Sequence, residues 1–185
     1  MNNGASSYRR FIEGDRNGIV EIIRDHKDGL ILFLNGYTRN ICLAEELMEE
    51  TFVRLVVKKP KYSPKYSFKT WLYTIGRNIA IDYLRRNSKT VDMTAEEMQN
   101  LSYDEESLER SYIQEEQKLT VHKAMNRLNA DYRQVLFLSF FEDLSTEQIA
   151  SVMRKSKRQI GNLMYRAKAA LRSELEKEGF IYEEL

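Results

Sequence analysis

Two helix-start signals near the C-terminal end constrain the fold of this chain more than any other feature. Ser145 is followed three residues later by Gln148, and Ser156 is followed by Gln159; this is the capping-box pattern of a helix N-terminus. The two serines are eleven residues apart, which leaves room only for a short helix and a tight turn. The spacing therefore predicts a helix-turn-helix.

Both helices that follow these signals carry apolar residues three and four positions apart, as one face of an amphipathic helix requires. The opposite side of the second helix combines arginines with an asparagine, which are suited to guanine and adenine edges in the major groove of DNA. A helical hairpin with a basic outer face is the alternative. The apolar residues are Ile149, Ala150 and Met153 in the first helix, and Ile160, Met164, Ala167 and Leu171 in the second. The side chains opposite the second stripe are Arg158, Asn162, Tyr165, Arg166 and Arg172.

The net charge of +1 conceals three blocks of opposite sign. Ten basic residues and one acid between positions 54 and 89 give that block a charge of +9. Nine acids and one arginine between positions 91 and 117 give −8, whereas residues 154–172 hold seven basic residues and no acid. Two basic blocks on either side of an acidic one indicate two surfaces that bind a polyanion, joined by a segment that avoids phosphate. Ordinary solvated helix faces are the alternative.

Residues 8–86 are predicted to form one helical unit. Within it the apolar residues between positions 44 and 55 recur every three or four residues, as in an amphipathic helix. Glu46, Glu49 and Glu50 fall together on the other side. This helix should therefore present an acidic face to solvent.

A basic, aromatic loop follows that helix. Pro60 and Pro64 break the helical pattern, and lysines alternate with aromatic residues around them. Exposed rings among cations suit single-stranded DNA, because bases stack on the rings while lysines follow the backbone. Simple packing of the tyrosines is the alternative, and Trp71 is interpreted as a core anchor. The next helix leaves these residues on the side away from its apolar stripe: Lys69, Tyr73, Arg77, Asn78 and Arg85.

Several kinds of site are not indicated by the sequence. The one cysteine, Cys42, cannot form an internal disulfide and is interpreted as a small core residue in a reducing cytosol. His26 and His122 lie far apart without a cysteine cluster, so we expect no metal and no other cofactor. Without a Gly-rich phosphate loop or a nucleophile beside a base, we expect no enzyme. Without a membrane-length apolar run or a secretion signal, we expect a cytoplasmic protein.

Two long motifs occur in a fixed order along the chain. They are AEELMEETF with FKTWLYTIGRNIAIDYLRR, and, after the acidic segment, LSTEQIASVMRKSKRQIGNLMYRAKAALRSEL. This arrangement resembles the extracytoplasmic-function sigma factors of the sigma-70 family, from about residue 8 to residue 175. The resemblance implies an all-α fold of two small helical domains joined by an acidic linker. The implied parts are a sigma region 2-like helical bundle over 1–88, the linker over 89–117, and a sigma region 4-like helix-turn-helix domain over 118–185.

The resemblance also implies a function, namely binding core RNA polymerase and directing promoter-specific initiation of transcription. The acidic helix would dock on the clamp helices of the largest catalytic subunit through Glu46, Glu49 and Glu50. The loop and the helix after it would melt the promoter and hold flipped bases of the minus-ten element, and the second domain would read the minus-thirty-five element. The residues implied for the minus-ten element are Lys65, Tyr66, Lys69, Tyr73, Arg77 and Asn78. Those implied for the minus-thirty-five element are Arg158, Gln159, Asn162, Tyr165 and Arg166.

This chain departs from the family pattern within the helix-turn-helix. Arg154 and Lys155 stand where relatives usually have a turn glycine and a buried aliphatic residue, and a left-handed non-glycine residue costs roughly 1 to 2 kcal/mol, so we expect an altered turn. Gly161 stands where many relatives have a basic contact. An anti-sigma partner is also implied, although its identity, the promoter sequence and the inducing signal are not encoded in the motifs. The rival interpretation is a dimeric helix-turn-helix regulator that binds duplex DNA without polymerase.

Overall fold

The computed structural model describes residues 3–87 and 116–177, and all regular structure within these ranges is α-helical. This confirms the expected all-α fold. The expected acidic linker over 89–117 lies outside the described residues except for its last two positions, which begin a helix. The first unit comprises α1 (Asn3–Ile12), α2 (Asn17–Thr38), α3 (Ile41–Lys58) and α4 (Phe68–Asn87). The second unit comprises α5 (Glu116–Asn126), α6 (Ala130–Phe140), α7 (Thr146–Met153) and α8 (Lys157–Lys177).

The ends of α3 follow from local chemistry. The Asn40 side chain accepts a hydrogen bond from the Leu43 amide at 2.9 Å, which satisfies a free N–H at the helix N-terminus. At the other end Lys59 adopts a left-handed conformation just before Pro60, which cannot continue the helix. Between these ends the predicted stripe is buried except for Met48, which is half-buried. Cys42, in contrast, is exposed in the first turn of α3, so its assignment to the core is wrong.

An aromatic cluster attaches the basic loop to α1 and α4. The Trp71 ring centroid lies 5.1 Å from that of Tyr8 and 5.3 Å from that of Tyr62. The Tyr8 hydroxyl donates a hydrogen bond to the Pro60 carbonyl at 2.8 Å, and burial raises the pKa of Tyr8 to about 12. Trp71 therefore has the packing role inferred for it, and Tyr62 belongs to the same cluster.

Removing the Tyr8 hydroxyl tests how firmly α1 anchors the loop. We expect Tyr8→Phe to lower the free energy of unfolding by about 1 kcal/mol, because the Pro60 carbonyl loses its donor. Urea unfolding measures the effect. Tyr66→Phe, at a half-exposed tyrosine of the same loop, is the control and should change stability little. Equal losses in the two variants would contradict the anchoring role.

Capping interactions define the helices of the second unit. Asn129 accepts a hydrogen bond from the Tyr132 amide at 2.9 Å and begins α6. Both predicted capping boxes are present. Ser145 and Gln148 exchange hydrogen bonds at the start of α7, and Ser156 and Gln159 do so at the start of α8, at 2.8 and 3.2 Å. The predicted helix-turn-helix is therefore confirmed.

The turn between α7 and α8 keeps the left-handed geometry that a glycine usually provides. Arg154 has φ 53° and ψ 45°, and the Lys155 amide donates to the Ala150 carbonyl at 3.0 Å, which closes α7. The expected change in turn shape is therefore absent. The Lys155 ammonium group remains outside the core and pairs with Asp131 of α6 at 3.0 Å.

The strain at Arg154 can be measured by restoring glycine. We expect Arg154→Gly to raise the free energy of unfolding by about 1 kcal/mol, since glycine adopts positive φ without a Cβ clash. Thermal unfolding measures the difference. Arg166→Gly, inside α8, should instead lower stability by about 1 kcal/mol. Destabilisation by both substitutions would show that Arg154 is not strained.

Candidate nucleic-acid interface

The outer face of α8 is basic and exposed. α8 buries Ile160, Ala167, Leu171 and Leu175 against the second unit. The five predicted contact residues for the minus-thirty-five element all lie on its exposed part: Arg158, Gln159, Asn162, Tyr165 and Arg166. Tyr165 is 79% exposed, which is unusual for a ring of that size and suits contact with a ligand.

One of these five residues also has a structural role. The Gln159 side-chain carbonyl accepts a hydrogen bond from the Ser156 amide at 2.8 Å, as the capping box requires. The amide NH₂ of Gln159 can still donate to a base, whereas its carbonyl oxygen already accepts one hydrogen bond. Gly161 lies in open space, with no side chain of its own and nothing within 4 Å of a Cβ built at that position.

The acidic face of α3 borders an apolar patch that sequence reasoning missed. Glu46, Glu49 and Glu50 are exposed as predicted, and Glu50 pairs with Arg54 one turn later at 3.1 Å. Beside them Val53, Val56 and Val57 are 57%, 41% and 66% exposed. Acids beside an uncovered apolar patch suit a protein partner better than they suit DNA. The missed signal was the set of valines outside the apolar stripe of α3.

The loop after α3 presents part of the predicted minus-ten surface. Lys65 is exposed and Tyr66 is 38% exposed. The Lys65 ammonium group lies 5.5 Å from the Tyr66 ring centroid, a cation–π distance. A positive charge beside an accessible ring is the combination that stacked single-stranded DNA requires.

Two further predicted residues, on α4, are covered by the second unit. Lys69 is half-buried, and its ammonium group pairs with the Glu142 carboxylate at 2.9 Å. Tyr73 is 0% exposed, and its ring centroid lies 4.9 Å from that of Phe33. Burial raises the pKa of the Tyr73 hydroxyl well above its usual range, and the negative charge of Glu142 raises it further. The placement of Tyr73 on a free polar side of α4 is therefore wrong.

Arg77 and Asn78 lie further along α4 and are half-buried. Arg77 is close to the hydroxyl of Tyr37 on α2. Burial raises the pKa of Tyr37 to about 12, although the positive charge of Arg77 opposes that increase. Of the six predicted minus-ten residues, the structure thus exposes Lys65 and Tyr66, leaves three half-buried and buries Tyr73.

The described ranges contain no group of three or more His, Cys, Asp and Glu side chains arranged to hold a metal ion. No helix within residues 3–87 and 116–177 combines the length and the apolar character that a membrane span needs. The candidate surfaces are thus the basic face of α8, the loop with α4, and the acidic face of α3. Their charges and exposed side chains are of the kind found in DNA-binding proteins that also contact a protein partner.

Comparison with known proteins identifies the family. Residues 22–90 match the family described as sigma-70 region 2, and residues 118–171 match the family described as sigma-70, region 4. The chain belongs to the sigma-70 family, within its extracytoplasmic-function group. It is a sigma factor, which binds core RNA polymerase and directs initiation at promoters. The rival interpretation as a dimeric regulator is not supported.

Relatives that match this chain over most of their own length are also described as sigma factors. The chain is 28% identical over 160 residues to RNA polymerase sigma factor SigV of Bacillus subtilis, covering 86% of this chain and 92% of the relative. It is 26% identical to ECF RNA polymerase sigma factor SigM of the same organism, with 84% and 93% covered. The fold resembles the solved structure of sigma factor RpoE in complex with the anti-sigma factor NepR from Bartonella quintana. That match has TM-score 0.63 and 21% identity, and covers 84% of this chain and 95% of the other.

Proposed function

We propose that three surfaces divide the work of this sigma factor. The acidic face of α3, with its exposed valines, docks on core polymerase. The loop with Lys65 and Tyr66, together with α4, holds the separated minus-ten strand, and the outer face of α8 reads the minus-thirty-five duplex. The observation that carries this assignment is that α8 has no acid between Lys157 and Arg172 and turns its arginines to solvent.

The mechanism is differential binding rather than a chemical reaction. A base stacked on an aromatic side chain is worth about 1 to 3 kcal/mol, comparable with the few kcal/mol needed to extrude one from the duplex. The sigma factor alone therefore barely offsets the cost of melting, and contacts made by polymerase supply the rest. On this account the chain is not an enzyme, and it acts in the cytoplasm with the polymerase that it recruits.

The proposed parts of the chain are residues 1–88 for docking and melting, 89–117 as linker, and 118–185 for upstream recognition. Among solved structures of similar fold, one contains a sigma factor bound to the anti-sigma factor NepR. We extend this to the present chain and propose an anti-sigma protein as a further partner. Such a partner would hold the chain away from polymerase until an inducing signal arrives.

Docking through α3 can be tested by run-off transcription with core polymerase. Addition of the chain should produce promoter-specific transcripts that core polymerase alone does not make. Glu46→Lys with Glu49→Lys should abolish most of that gain, because the acidic face reverses its charge. Glu13→Lys, an exposed glutamate just after α1, is the matched control and should leave the gain intact. Absence of transcripts with the unmodified chain would refute the proposal.

The role of the arginines on α8 predicts a change in the salt dependence of duplex binding. Arg158→Ala and Arg166→Ala should each weaken binding of promoter duplex and reduce the slope of log K against log salt by about 0.9 for each phosphate that the variant no longer neutralises. Fluorescence anisotropy at several salt concentrations measures the slope. Weaker binding with an unchanged slope would assign these arginines to base edges instead of phosphates.

A further inference from the structure

One glycine on the outer face of α8 serves no packing purpose among the described residues. Six glycines in that part of the chain lie inside helices, and at five of them a Cβ would meet another atom at 3.0 Å or less. Those five allow close packing: Gly4, Gly18, Gly29, Gly36 and Gly76. At Gly161, apart from the adjacent residues and the backbone of α8, a Cβ would meet nothing within 4 Å. Because glycine is the poorest helix former except proline, Gly161 weakens α8 without a gain in packing.

The Tyr165 ring stands beside this bare stretch of backbone. Tyr165 comes four residues after Gly161, so the two share a face of α8. Helical side chains lean toward the N-terminus of their helix, which directs Tyr165 toward the turn that contains Gly161. The ring nevertheless leaves the Cβ position of Gly161 clear by more than 4 Å and is itself 79% exposed. Gly161 and Tyr165 therefore border an open notch with a backbone floor and an aromatic wall.

The surroundings of the notch fit duplex DNA. Arg158 and Asn162 are exposed on the adjoining part of the helix, and no acid occurs between Lys157 and Arg172. The floor of the notch offers no side-chain donor or acceptor, and the backbone amide and carbonyl of Gly161 belong to the helix. The 5-methyl group of thymine is the apolar group that base pairs present in the major groove. An apolar notch among arginines suits that methyl group better than it suits a hydrogen-bonding base edge.

We propose that this notch receives the 5-methyl group of a thymine, so that Gly161 and Tyr165 select one base of the minus-thirty-five element. The inference rests on the proposed function, because it takes the outer face of α8 as the surface that reads the upstream duplex. A side chain at position 161 would occupy the notch and hold α8 away from the base. The stability of the helix and the depth of its docking therefore oppose each other at this position.

Adding a methyl group to the protein separates these two effects. Gly161→Ala should raise the midpoint of thermal unfolding by about 2 to 4 °C, because alanine is the better helix former. The same variant, with core polymerase, should bind its promoter duplex on the order of tenfold more weakly, because the new methyl group fills the notch. The duplex is one selected from a pool of random sequences by the unmodified chain with core polymerase, and fluorescence anisotropy measures its binding.

Gly14→Ala is the matched control for this substitution. A Cβ at Gly14 also meets nothing within 4 Å, but Gly14 has φ 108° and lies outside the second unit. Its replacement should therefore lower the unfolding midpoint, since alanine is strained at positive φ, and should leave binding of the duplex unchanged. The two alanine variants are thus expected to show opposite changes in stability, and only Gly161→Ala should lose affinity.

Removing a methyl group from the DNA tests what the notch holds. Each thymine of the selected upstream element is replaced in turn by deoxyuridine, which lacks only the 5-methyl group. One replacement should weaken binding of the unmodified chain about fourfold, as expected for one buried methyl-sized group. That replacement should have no further effect in Gly161→Ala or Tyr165→Ala. It should keep its effect in Tyr165→Phe, which retains the aromatic wall.

The outcomes distinguish this role of Gly161 from the wider role of α8. Unchanged affinity in Gly161→Ala would overturn the notch, and the proposed function would still stand if Arg158→Ala weakened binding. Unchanged affinity in both variants would count against α8 as the reading surface. Weaker binding by Gly161→Ala without an effect of deoxyuridine at any position would assign the open space to the DNA backbone and overturn the thymine contact.

Discussion

The fold depends on burying five consecutive apolar residues of α2, Leu30 to Leu34, which are all between 0% and 7% exposed. Because successive residues of a helix point about 100° apart, such a run has no side that can face solvent, and the helix needs neighbours all round. α3 and α4 supply neighbours from the first unit, and α6 supplies one from the second. Phe33 shows this directly, since its ring contacts both Tyr73 of α4 and Phe137 of α6. The contact between the units is therefore a continuation of the first unit's core.

Polar side chains at the border of that contact fix how the two units are arranged. An ion pair such as Lys69–Glu142 contributes little net stability, because the cost of removing both charges from water offsets their attraction. It does specify one arrangement, since any shift leaves a charge without its partner. Arg133 and Gln134 act in the same way on carbonyl groups of α2. Contacts of this kind select one arrangement of the two units more than they add to its stability.

The exposed side chains on the basic face of α8 could be predicted individually from the sequence. Capping residues and the apolar stripe set the rotation of α8, so the exposure of Arg158, Asn162 and Arg166 followed from local rules. The surface formed by the loop after α3 and by α4 was less predictable. A helical wheel for α4 separates polar from apolar residues but does not show what packs on each side. Tyr73 was placed on the solvent side because its polar hydroxyl put it among the polar residues. Its burial results from Phe33 and Glu142, which are distant in sequence. The role of Gln159 in capping, besides facing solvent, was predicted from the same capping-box pattern.

The sequence by itself determined the helices, their caps, the helix-turn-helix and the three charged blocks, because each depends on residues a few positions apart. The five consecutive apolar residues Leu30 to Leu34 can also be read directly from it. Only the tertiary structure decided that the second unit completes the burial of this run. It also decided that side chains of that unit lie against Gly29 and Gly36, where a Cβ would overlap Glu142 and Gln134. The physical reason is that the sequence of a helix shows which of its side chains are apolar and must be buried. Which neighbour buries them depends on shape and on polar partners up to about a hundred residues away, as with Gln134 and Phe33.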